Sequence, residues 1–358
     1  MKHFVKILSI ITVAIIAAFS FSGCGYSSYY YDYFGTEIYV SVNGSLENEL
    51  ETAIKERLSL LDDTLSLTKE NSVISKFNAA ESGYGVEFTN DAKALFSLSK
   101  ELNDFTGGKF NPTVYPLLKL WRLSSDTFDK NVISIVPPTN EEIQSVMPFI
   151  ALNSICEKDG NFYKTANGVT LDFGGIAKGY AADKIYADLT QAGFTEGYIS
   201  AGGSSIYVLS VKENLTVKHP RKSNAKILSV NNELIKNSPL STSGDYERYY
   251  TDRDNGEIRY SHIINPLTGR TADSGFCSVT VICSKTAPAL LRSAAATDAL
   301  STALMLMEKD EFSDFVKQNL SGVTVFGVYD KAGVKQIYTN ATAADFTVLD
   351  GDYETVLI

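Results

Sequence analysis

The alternation of apolar and polar residues divides the chain into recognisable elements. "FGTEIYVSVNG", residues 34 to 44, predicts a first strand, and "SLENELETAIKERLSLLDDTLSL" follows with apolar positions three and four apart, an amphipathic helix. The same spacing recurs in "TNDAKALFSLSKELNDFTG", with Asn90 as N-cap and Gly107 as stop. A shorter helix, "NEEIQSVMPFI", is predicted after Pro137-Pro138. From 150 to 173 the runs become short, hydroxyl-rich and β-branched, ending in "GVTLDF". "KGYAADKIYADLTQAG" then reads as a helix and "GYISAGGSSIYVLS" as a strand, while "AKILSVNNELIKNSPLSTSG" and "EIRYSHIINP" read as antiparallel strands joined by turns. "GFCSVTVIC" alternates, "APALLRSAAATDALSTALMLM" predicts one long helix, and "SGVTVFGVYDKAGVKQIYTN" a closing hairpin about Lys-Ala-Gly. Helices and strands interleave with no repeat period, which predicts an α/β or α+β fold.

The amino-terminal end changes the picture. Lys2, His3 and Lys6 precede an apolar run from Ile7 to Phe21, shorter than the roughly 20 residues of a bilayer span, and Ser22-Gly23-Cys24 follows. This is a secretory arrangement. Residues 1–23 are expected to be a lipoprotein signal peptide cut before Cys24, whose lipid would anchor the chain to the extracytoplasmic face of the cell membrane. Residues 24–33, with "GYSSYYYDY", read as a polar aromatic tether, and 34–358 as the folded domain. Losing the signal removes two lysines and no acid, which takes the formal charge from −10 to −12. Such a surface repels nucleic acid, so no nucleic-acid partner is expected. Cys156, Cys277 and Cys283 remain, an odd number without CxxC spacing, which argues against a disulfide scaffold or a structural zinc site. They read as small buried residues, with a Cys277–Cys283 bridge as the alternative.

Candidate chemistry begins in the long helix. Asp298 and Thr302 are one turn apart, on a face with Leu291, Ala294, Ala295 and Met305. A carboxylate in an apolar stripe is costly unless paired, capped or bound to metal. Spacing leaves two readings open, a hydrogen bond from a neighbouring loop or a hard-cation site using both side chains and backbone carbonyls. In "LDFGGIAKGYAAD", Gly174 and Gly175 allow close backbone approach before a helix start that offers free N–H groups to an anion, with Lys178 in its first turn. Neither this stretch nor "TGGKF" has P-loop spacing. His262 in "SHIINPLTGR" is either a satisfied core residue or a phosphate donor and proton shuttle. "STSGDYERYY" offers Ser241 and Thr242, whose hydroxyls hold phosphate oxygens or their own backbone.

Taken together and in order, "TGGKFNPTVYPLLKLW", "LDFGGIAKGYAAD", "GGSS", "STSGDY", "HIINPLTGR" and "DALST" resemble the FAD:protein FMN transferase family, formerly described as thiamine-biosynthesis lipoproteins. The resemblance spans about residues 34 to 330. It implies a T-fold-like α/β fold and Mg2+-dependent transfer of FMN from FAD to a threonine or serine of an exported or membrane-bound flavoprotein, with release of AMP. Some members of that family also hydrolyse FAD to FMN and AMP. By motif, the Gly175 carbonyl, Asp298 and Thr302 are the implied metal ligands. Lys178 and His262 are implied beside the nucleotide and, with Asp298, in catalysis. Phe34, Gly35 and Thr36 match a cofactor contact in which Phe34 replaces a frequent Met, and Ser75, Lys76 and Phe77 overlap another. Asn111 stands for the usual Asp of the signature, which removes a charge but keeps an acceptor and adds a donor. Thr68 falls where several transferases have Tyr, which leaves the balance between transfer and hydrolysis open.

Overall fold

The computed structural model describes residues 25–358; the expected signal peptide and Cys24 lie outside them. Nine strands form one sheet in chain order: β1 (Tyr26–Tyr33), β2 (Thr36–Asn43), β3 (Gly197–Ala201), β4 (Ser205–Ser210), β5 (Ser238–Gly244), β6 (Phe276–Cys283), β7 (Val323–Lys331), β8 (Val334–Thr339) and β9 (Glu354–Leu357). Every neighbouring pair is antiparallel except β8 and β9. Five longer helices accompany it: α1 (Asn48–Leu65), α2 (Asn90–Phe105), α3 (Ala177–Gln191), α4 (Ala294–Leu304) and α5 (Lys309–Asn319).

The central strands of the sheet are buried on both faces. One face meets α1, α3 and α4 through Ile38, Val40, Ile199 and Leu209. The other packs Tyr198, Ile206, Val208 and Ile282 against a small sheet of residues 215–218, 226–230 and 346–348. Residues on both sides of β6 are therefore apolar or small, and the whole strand is buried. Cys277 and Cys283 fall in cores on opposite faces of it and are free thiols, which rules out the bridge between them.

Four sequence expectations are corrected. The supposed tether is β1, because its tyrosines alternate: Tyr31 is buried and Tyr29 and Tyr33 pack against the helix-side core, while Tyr30 faces solvent. "GYISAGGSSIYVLS" is two strands, with Gly202 and Gly203 at positive φ in the turn between them. The long helix breaks at Arg292, after a short 3-10 turn, and α4 starts anew with Ser293 accepting the Ala296 N–H as N-cap. In α2 the cap is Thr89, which accepts from Ala92 N, and Asn90 is already helical.

Between α1 and α3 the chain makes an excursion whose aromatic residues, among them Phe88 and Phe162 stacked at 4.0 Å, join the core beneath α4 and β6. This excursion carries Pro112 against the opening of α3, where the Asp172 N–H donates to the Pro112 carbonyl at 2.7 Å.

Candidate functional site

Small residues place the site. A Cβ on Gly179 of α3 would stand 2.6 Å from the backbone nitrogen of Ala295 and closer still to the Ala294 carbonyl, so the two helices cross there in backbone contact. Each helix carries a carboxylate that caps the other. Asp183 accepts from Ala294 N (2.7 Å) and Ala295 N (3.0 Å), and Asp298 accepts from Gly179 N (3.3 Å). Burial pushes Asp183 up to about 7, the two helix N–H groups opposing it.

Asp298 is 4 % exposed. Its Oδ2 faces the Lys178 ammonium at 3.7 Å, and Lys178 also donates to the Gly174 carbonyl at 3.0 Å. Burial raises the affinity of Asp298 for a proton, while Lys178, Ser205 and the Gly179 N–H lower it. A carboxylate in that balance is short of positive charge. Oxygen donors surround it. Thr302 Oγ1 donates to the Asp298 carbonyl at 3.3 Å, which leaves its lone pairs outward, and Ser243 Oγ lies 3.1 Å from it. In a regular helix the Gly179 N–H would reach the Gly175 carbonyl. Here it goes to Asp298, and among the described residues the Gly175 carbonyl accepts no hydrogen bond. One carboxylate, a hydroxyl and a freed carbonyl suit a hard cation such as Mg2+. Among the described residues no group of three or more His, Cys, Asp or Glu could hold a metal, which is unlike a zinc site.

The turns close on the same place. Phe34 and Gly35, both at positive φ, form the β1–β2 turn, and the Phe34 N–H donates to Asp62 Oδ1 at 3.2 Å. A non-glycine residue in that conformation is strained, a feature that concentrates at functional positions. Thr36 and the Lys178 side chain both lie against Gly202, where a Cβ would be 2.9 Å and 3.2 Å from them.

His262 is half-buried after the strand Arg259–Ser261. Its Nδ1 lies 3.2 Å from the Arg248 carbonyl, which can only accept, so Nδ1 carries the hydrogen and Nε2 keeps its lone pair. Burial, then the Arg248 and Lys178 cations, pull its pKa down to about 3. The folded protein thus binds the proton less readily than the unfolded chain, whose histidine titrates near 6.5. The resulting stability is complete above that value and is lost as pH falls from there toward 3. Imidazole nitrogen NMR is expected to show the Nδ1–H tautomer with no titration between pH 5 and 8; a midpoint near 6.5 would contradict this placement.

Other expected contacts separate. Ser241 is wholly buried and bonds Thr297 of α4 at 3.0 Å, and Ser243 reaches Ser301 and Thr302 of the same helix. Strand alternation turns Thr242 to the opposite face, where it meets Thr280 at 2.9 Å. Ser243, two residues on from Ser241 and the third hydroxyl of that run, shares the face toward α4. The Phe77 side chain lies entirely in the core against Phe88 and offers a ligand no surface. Ser75 spends its hydroxyl on the Ser66 carbonyl, and Lys76 is exposed. Thr68 is exposed, 3.2 Å from Ser66 Oγ. Asn111 Oδ1 accepts from Thr113 N (2.9 Å) and Oγ1 (2.8 Å), which fixes the amide so that its NH2 is the group left to face a ligand.

Two further residues, Asp172 and Arg248, stand in this cluster. Asp172 Oδ1 accepts the Gly174 N–H at 2.6 Å, and burial raises its pKa against that bond and against Arg248 and Lys178. Asp172 comes with the segment that carries Gly174 and Lys178, whereas Arg248 is brought in through the contact of its carbonyl with His262.

A family model described as the ApbE family matches residues 34–326. Among curated proteins, an FAD:protein FMN transferase of Vibrio cholerae is 27% identical over 268 residues, covering 73% of this chain and 74% of its own length. Another, from Escherichia coli, is 25% identical over 286 residues, covering 78% and 76%. The solved structure of the flavin transferase ApbE from Vibrio cholerae superposes with a TM-score of 0.73 at 22% identity, covering 88% of this chain and 96% of that one. The ApbE protein from Thermotoga maritima gives 0.70 at 29% identity, with 85% and 94% covered. The mixed α/β architecture expected from the sequence is the architecture of these structures.

Proposed function

The chain belongs to the ApbE family, and on that footing we propose that it transfers the FMN half of FAD to a threonine or serine of an exported or membrane-bound flavoprotein, releasing AMP. The observation that carries this reading is the convergence on the start of α3. A buried, under-neutralised carboxylate, an ammonium and the amino end of a helix face one another there, an arrangement suited to a diphosphate and its counter-ion.

Asp298, Thr302 and the Gly175 carbonyl would hold Mg2+, which supplies charge neutralisation on phosphate oxygens. In the transfer, the acceptor hydroxyl oxygen bonds to the FMN phosphorus, the phosphorus–oxygen bond to AMP breaks, and AMP leaves with the electron pair. Lys178 places a positive charge beside the phosphate oxygens, and the Asn111 NH2 donates to the nucleotide. His262, with Nε2 unprotonated, is positioned to accept the hydroxyl proton; anionic phosphate beside it offsets the two cations that depress its basicity. Phe34, Gly35 and Thr36 form the rim at which the flavin nucleotide enters.

Among the described residues no helix is long and apolar enough to cross a membrane. The proposed location is the outer face of the cell membrane, held by a lipid on Cys24 after removal of residues 1–23. A covalently attached flavin suits such a setting, since a loosely bound one would diffuse away.

Incubating the purified protein with FAD and Mg2+, with and without an acceptor that carries a threonine flavinylation motif, tests the reading. The expected result is an acceptor mass gain equal to FMN, abolished by EDTA. Free FMN and AMP without acceptor modification would make the protein an FAD pyrophosphatase, the alternative that Thr68 raises. Neither product would leave a flavin-binding lipoprotein.

A further inference from the structure

Arg248 has no part in the mechanism above, yet its surroundings differ from those of the two arginines that hold an aspartate. Its carbonyl is fully engaged, taking both the His262 main-chain N–H at 3.0 Å and Nδ1 at 3.2 Å. Its guanidinium is not. The one hydrogen bond it makes among the described residues is to the Leu123 carbonyl at 3.5 Å, the outer limit for such a bond, and no carboxylate lies within 4.0 Å. Arg57 and Arg221, by contrast, each grip an aspartate with two nitrogens, at 2.7 and 2.8 Å on Asp188 and at 2.6 and 2.7 Å on Asp245.

A guanidinium cannot shed its proton, so one that is half-buried, as Arg248 is, and has no charged partner carries a desolvation cost. Asp172 is the acid it senses, but Asp172 turns its Oδ1 to the Gly174 N–H and does not reach Arg248. Gly174 is also the residue whose carbonyl holds Lys178. Arg248, whose carbonyl holds His262, and Lys178, in the first turn of α3, therefore both act on His262 and on Asp172. An anion with several oxygens would complete the unmet geometry of a planar, forked donor.

We propose that Arg248 is a second anion clamp of the site, binding phosphate oxygens of the dinucleotide with paired N–H groups while its carbonyl holds His262 in the productive tautomer. This rests on FAD being the substrate. It assigns Arg248 a role in affinity, and through its backbone a positioning role toward His262 that side-chain substitution leaves intact.

Arg248→Gln and Arg248→Lys, made in the full chain, test it by FAD titration and thermal unfolding without ligand. Loss of a charge-assisted pair predicts FAD affinity about 10- to 100-fold weaker in R248Q. R248K should fall between the two, because an ammonium restores charge but not the fork. The unfolding midpoint of R248Q is expected to stay level or rise, since a half-buried cation without a carboxylate partner has been removed. FAD affinity within threefold of wild type in both variants would overturn the proposal. So would a lowered midpoint in R248Q with no recovery in R248K, which marks a structural role. If R248Q does not fold, R248K alone decides: affinity equal to wild type refutes the clamp, and a drop of several-fold at unchanged midpoint supports it. Failure of the wild-type protein to bind FAD would instead remove the transferase reading itself.

Discussion

Asp298→Ala is expected to yield a folded protein that no longer transfers FMN. The carboxylate is buried and its charge is only partly balanced by Lys178, 3.7 Å away, so its ionisation adds little to stability. What the substitution removes structurally is one acceptor for the Gly179 N–H, at a cost of about 1–3 kcal/mol. Asp298→Asn separates the two contributions, because the amide oxygen still caps Gly179 while the charge is gone. Unfolding of the Asn variant should fall within about 1 kcal/mol of wild type. Its transfer rate should drop about a hundredfold to a thousandfold, the scale of removing one electrostatic group from a reacting centre. Urea denaturation and acceptor mass measure the two effects. A folded Asn variant with wild-type transfer would show that the carboxylate is only a cap.

Gly179→Ala should be the more damaging change to the fold. Elsewhere in a helix the substitution gains about 1 kcal/mol. At this position the new methyl would meet the Ala294 carbonyl and the Ala295 nitrogen, backbone atoms that no side-chain rotation can move aside. Overpacking costs about 1–3 kcal/mol and more where the neighbour cannot yield, so a net loss of about 3 kcal/mol is expected. Transfer should fail with it, since separating α3 from α4 moves Lys178 away from Asp298. Gly256→Ala is the control: nothing lies within 4 Å of its Cβ position and its stability should be unchanged. Equal denaturation midpoints for the two variants would refute the close crossing.

How much of this was legible in the sequence depends on the range of the interaction. Local patterns held wherever one element decides its own conformation, as in α1, α3 and the β7–β8 hairpin, whose Ala332 and Gly333 take the positive φ that its tight turn requires. The Asp298–Thr302 face was readable because helical period alone places both residues on it. Residues 26–33 misled because serines and tyrosines look like a solvated linker until β2 supplies a partner. The break before Ser293 was hidden because its alanine-rich flanks both favour helix. Thr242 was placed on the wrong face because the hydroxyl run was treated as a loop, whereas in β5 only alternate residues can point toward α4. Gly179 and Arg248 were invisible for a deeper reason. A glycine that admits another helix's backbone, and a half-buried arginine with no carboxylate beside it, are defined by neighbours more than 45 residues away or by their absence.

The exchange of carboxylates between α3 and α4 also bears on motion. Helix ends ordinarily fray first, since their terminal N–H groups are held only by water or a local side chain. Here, unwinding the first turn of either helix would strand an acid in the apolar interior belonging to the other. The two ends must therefore loosen in a single concerted event or remain shut, which gives the amino-terminal tip of α3 the stillness of the protein's interior.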